Sequence, residues 1–87
     1  MNDTKRRCEA AVQNEVNEFL FQLKQGQMRS ESEIAAKLDL LRQIMLESLE
    51  NITYSEKESF VQQKCSELGT QATKQLLQEL RLRTQAD

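Results

Sequence analysis

The segment at residues 33–52, EIAAKLDLLRQIMLESLENI, carries more apolar surface than one neighbouring helix can cover. Wound as a helix, it sets Ile34, Leu38, Leu41, Met45, Leu49 and Ile52 three or four positions apart, in one continuous stripe. Leu40 and Ile44 fall outside that stripe. At about 100° per residue they point to nearly the opposite side of the cylinder, and Leu46 projects between the two faces. The segment therefore reads as a central helix that needs two packing neighbours, and the rest of the chain supplies the candidates.

Composition closes off most other architectures. The 87 residues contain no proline, two glycines, four aromatic residues and no tryptophan, a profile that favours long uninterrupted helices over turn-rich sheet. Eleven glutamines, with Glu, Lys and Arg, furnish the polar faces of such helices. A chain of this length has room for one domain, which buries roughly 60–65% of its unfolded surface. The expected fold class is all-α.

From about residue 5 to residue 25, Cys8, Val12, Val16, Phe19, Leu20 and Leu23 form one apolar face of a first helix. Phe21 lies off that face. Gly26 stands where a left-handed C-terminal cap is wanted, because glycine reaches positive φ without a Cβ clash. A short connection then leads to Ser30-Glu31-Ser32-Glu33, which has the form of a capping box and starts the second helix, expected over residues 31–52. Glu33 and Lys37 are spaced as a favourable pair one turn apart. Near Asn51-Ile52-Thr53-Tyr54 helix propensity drops, and Ser55 with Glu58 repeats the capping pattern. A third helix is expected over residues 56–82, with Phe60, Val61, Cys65, Leu68, Ala72, Leu76 and Leu80 as its stripe and Leu77 widening it. The competing reading is one helix running on through Tyr54, since neither glycine nor proline forces a break.

These elements fit an up-down-up bundle in which the first and third helices both meet the second. They fit equally a long helical hairpin that buries its second stripe, coiled-coil fashion, on another chain. At about 40 Å the third helix outruns the other two, and its last turns are expected to project. Gly69 on this helix costs about 1 kcal/mol relative to alanine. With Ala72 it forms a small-residue patch, open to reading as a close-approach site or as a tolerated defect.

The chemistry-bearing residues are few. There is no histidine, no glycine-rich phosphate loop, no GxSxG and no long loop, so no catalytic constellation is expected. Cys8 and Cys65 lack CxxC spacing and have no histidine to complete a zinc site; both sit on apolar faces, where a free thiol behaves as a small hydrophobe. No cofactor or metal is expected. Glu15 with Glu18, and Glu47 with Glu50, stand three apart, but di-metal bundles pair such glutamates with a Glu-x-x-His motif that this chain lacks, so both pairs read as solvated faces. Met45 reads as core.

Partner classes follow from charge and hydropathy. The net charge of −2 gives no field able to hold nucleic acid or an anionic membrane. The longest apolar runs, Phe19-Leu20-Phe21 and Ile44-Met45-Leu46, are far short of the roughly 20 residues that span a bilayer, and the start of the chain has no secretory pattern. Reduced thiols suit cytosol or nucleus, so an intracellular, cytoplasmic location is expected, with the nucleus as alternative. The Asn51-Ile52-Thr53 sequon bears only on a secreted chain. The expected function is a non-catalytic helical interaction module, an adaptor, scaffold or assembly subunit, that binds partner helices, a hydrophobic groove or a second copy of itself. Its candidate contacts are Phe21, Leu40 and Ile44, with Leu76, Leu77, Leu80 and Leu82 at the end of the third helix. The alternative is a small nucleic-acid-associated regulator using Lys5, Arg6 and Arg7, against which stands a second helix at −3 over residues 30–54.

Overall fold

The computed structural model describes the backbone of residues 3–86 and the side chains of residues 3–82. Three helices account for the described chain: α1 (Asp3–Lys24), α2 (Glu31–Ser48) and α3 (Tyr54–Ala86). Residues 15–22 of α1 flank the same groove as residues 37–44 of α2, and residues 31–38 of α2 flank one with residues 65–77 of α3. Lys5 and Cys8 of α1 line a groove with Ser55 and Phe60 of α3, and farther along the Leu23 carbonyl accepts from Gln75, so residue numbers rise together along α1 and α3 while α2 returns between them. The order is thus up-down-up, α1 and α3 are parallel, and the packing is heaviest between α2 and α3.

The turns explain the arrangement. At the end of α1, Gln27 N–H donates to the Gln22 carbonyl (3.2 Å) and Gly26 N–H to the Leu23 carbonyl (3.1 Å), with Gly26 at φ +73°. Those are the two bonds of a Schellman cap, and only glycine takes its left-handed position without strain. Ser30 then caps α2, its hydroxyl accepting from Glu33 N–H at 3.2 Å. The Glu33 carboxylate reaches back one residue beyond the expected point and accepts from Arg29 N–H at 2.8 Å. Glu33 is thereby engaged at the helix start rather than in an ion pair with Lys37.

Two boundaries differ from the sequence expectation. α2 ends at Ser48, not at residue 52, and Leu49 leaves the helix at φ −104°, ψ 44°. Leu49 N–H donates to the Leu46 carbonyl and Ile52 N–H to the Leu49 carbonyl, so the chain turns here and the continuous helix is excluded. Leu49 stays buried and Ile52 half-buried, and both remain in phase with the α2 stripe while the backbone departs. α3 starts at Tyr54, two residues early. The Thr53 carbonyl accepts from Lys57 N–H at 3.0 Å, which places Thr53 at the cap position and Ser55 inside the helix. The sequence Thr53-x-x-Glu56 has the same form as Ser55-x-x-Glu58, and α3 starts from the earlier of the two positions.

One cluster of buried side chains joins the three helices, with Met45, Leu49, Val12, Val61 and Cys8 the largest that are fully enclosed. Met28, in the connection between α1 and α2, is 2% exposed and belongs to this cluster although no periodicity marks it. Near the same end Gln75 donates to the Leu23 carbonyl (3.2 Å), tying α3 to the C-terminus of α1. Leu76 is the last buried residue of α3 among those described. The helix continues to Ala86, so its 33 residues span about 50 Å, against about 33 and 27 Å for α1 and α2. The expected overhang is present, and longer than the sequence suggested. At Gly69 the neighbour is a side chain and not a backbone: a Cβ there would lie 3.2 Å from Leu38 Cδ1, and Ala72, one turn on, is fully buried.

Candidate interaction site

α2 has both of its neighbours, yet Leu40 remains 55% and Ile44 38% exposed. The reason is angular. In a three-helix bundle both neighbours lie on the same side of a helix, so they share the stripe of Ile34, Leu41 and Met45 between them. Leu40 sits about 120° and Ile44 about 80° from the centre of that stripe, which also explains why Ile44 is the less exposed.

The two side chains line a groove of about 320 Å³ between α1 and α2. Phe19 and Leu41, both buried, reach up to it from the core, and Glu15, Glu18 and Lys37 stand along it. Glu18 accepts from Gln22 at 3.3 Å. Glu15 departs from the expected solvated face: it is half-buried, and its Oε2 is screened from water without a hydrogen-bond donor among the described residues. The groove thus offers apolar contact together with the Glu15 and Glu18 carboxylates and the Lys37 ammonium.

The remaining candidates do not join this groove. Leu76 is corrected from contact to core: at 9% exposure it belongs to the buried cluster, as its place in the α3 stripe requires. Leu77, 55% exposed, lies at the far end of a second, more open groove between α2 and α3, floored by Ile34, Leu38 and Gly69. Leu80 and Leu82 are exposed farther along α3. Leu82 points about 140° away from Leu77, so the overhang carries no single apolar face. Phe21 is exposed on the side of α1 away from the core. Tyr54, 65% exposed at the first turn of α3, was not marked by the sequence, because a residue at a helix start has no apolar phase to violate.

Lys5, Arg6 and Arg7 are all exposed, but consecutive helical positions spread them over about 200° rather than onto one surface. Glu56 stands across from Lys5 beside Cys8. Burial pushes the Cys8 thiol above its ordinary range, Glu56 adds to the shift, and Arg7 opposes it. Burial likewise raises the Cys65 thiol, with Arg42 opposing and Asp39 adding. Among the described residues no three His, Cys, Asp or Glu side chains gather as a metal site, and no helix is long and apolar enough to cross a membrane. Compared with known proteins, the chain matches no family model, no curated protein and no solved structure.

Proposed function

We propose that this chain is a non-catalytic helical interaction module that receives a partner helix along the α1/α2 groove, with Leu40 and Ile44 as the principal contacts. The observation that carries this reading is their exposure in a bundle whose central helix already has both neighbours. Leucine and isoleucine on the flank of a groove, with aromatic and aliphatic groups beneath, suit the apolar stripe of an amphipathic helix. The shielded Glu15 Oε2 suits a donor from the same partner, and Lys37 an acidic side chain. Adaptor, scaffold and assembly roles all use contacts of this kind.

Photo-crosslinking from the face itself tests the reading. A benzophenone side chain at position 40, in the cells that make the protein, is expected to give a discrete adduct that disappears when Ile44→Glu is added. The same group at Gln71, exposed on α3, is expected to give none. Adducts that are absent at position 40, or identical at both positions, would overturn it.

A further inference from the structure

The flank of α2 that borders the α1 groove has a charge order that is complementary to itself. Lys37, Leu40, Ile44 and Glu47 follow one another at spacings of three, four and three, which are successive a and d positions of a heptad. Leu40 and Ile44 are the exposed apolar pair, Glu47 is exposed and Lys37 half-buried. Among the described residues the ion pair within 4.0 Å is Lys64 with Glu67, so neither Lys37 nor Glu47 is engaged within the chain.

We infer that the occupant of this face is a second copy of the chain, paired antiparallel through α2 about a two-fold axis that passes level with residue 42. In an antiparallel seam each a position shares a layer with a d position of the other helix. That sets Leu40 beside Ile44 of the second copy, and Ile44 beside its Leu40. Lys37 meets Glu47 of the second copy at one end, and the two-fold repeats the pair at the other. The parallel alternative stacks Lys37 on Lys37 and Glu47 on Glu47, so the charge order selects the antiparallel form. The contact is isologous, hence closed at two chains. The inference rests on the reading of the Leu40 and Ile44 face given above and names its partner.

With two aliphatic side chains per chain, the seam is small and association belongs at roughly 100 µM and above. Sedimentation equilibrium of the full chain under reducing conditions, up to about 1 mM, is expected to show the mass rising from 10.1 kDa toward twice that value. Lys37→Glu and Glu47→Lys, each checked for retained helicity by circular dichroism, are each expected to weaken self-association about tenfold or more. Their equimolar mixture is expected to associate again, because a chain with two acids on the seam then faces a chain with two lysines. A wild-type mass of 10.1 kDa throughout overturns the inference. So do reversal variants that pair like wild type, or a mixture no tighter than its components. A monomeric chain that still gives a position-40 adduct with a different protein leaves the interaction module standing and removes only self-pairing; loss of both removes both.

Discussion

Met45→Ala is expected to lower the unfolding free energy by about 2–5 kcal/mol, read as a fall in urea midpoint with the slope nearly unchanged. Met45 is 0% exposed in the last turn of α2 and belongs to the cluster that joins the three helices, so the truncation removes transfer energy and leaves a cavity. A chain of this size has total stability of order 5 kcal/mol. The variant is therefore expected to retain at most about 3 kcal/mol, whereas Met45→Leu, close to volume-conserving, is expected to cost less than about 1.5 kcal/mol. An alanine variant that unfolds like wild type would place Met45 outside the core.

Met28→Ala is expected to cost about 2–3 kcal/mol, measured in the same way. Methionine in an exposed connection would cost nothing. Here Gly26 turns the chain and the Ser30 cap starts α2, and between them Met28 is 2% exposed within the core cluster. Its thioether closes the end of the bundle where Gln75 holds the last turn of α1. The loss should appear without any change in helix length, which separates it from damage to the caps.

Met28 also marks where the sequence stops being legible. The stripe of Ile34, Leu41 and Met45 could be read directly, because helical period places those residues on one side whatever covers them. Gly26 and the Ser30–Glu33 cap could be read because each answers a local backbone need. A buried side chain in a connection has no period, so Met28 gave no signal. The end of α2 was misplaced because Leu49 and Ile52 keep the phase of the stripe after the backbone has turned, and apolar phase reports direction rather than helix continuity. Leu76 satisfied two descriptions at once, stripe and overhang, and only the height at which α1 ends decides between them. Leu40 and Ile44 were legible as a second face. What the sequence left open was whether two neighbours would cover that face, and the bundle leaves it exposed.

The account turns on Leu40 and Ile44 being surplus to the fold, and the unfolding free energy of Leu40→Gln with Ile44→Gln, measured at low micromolar concentration, tests it most directly. Side chains 55% and 38% exposed keep only part of their area from water, and glutamine, a good helix former, retains part of that contact through its methylenes, so stability within about 2 kcal/mol of wild type is predicted. A loss of about 3 kcal/mol or more would show that the two residues belong to the chain's own core and would contradict the account.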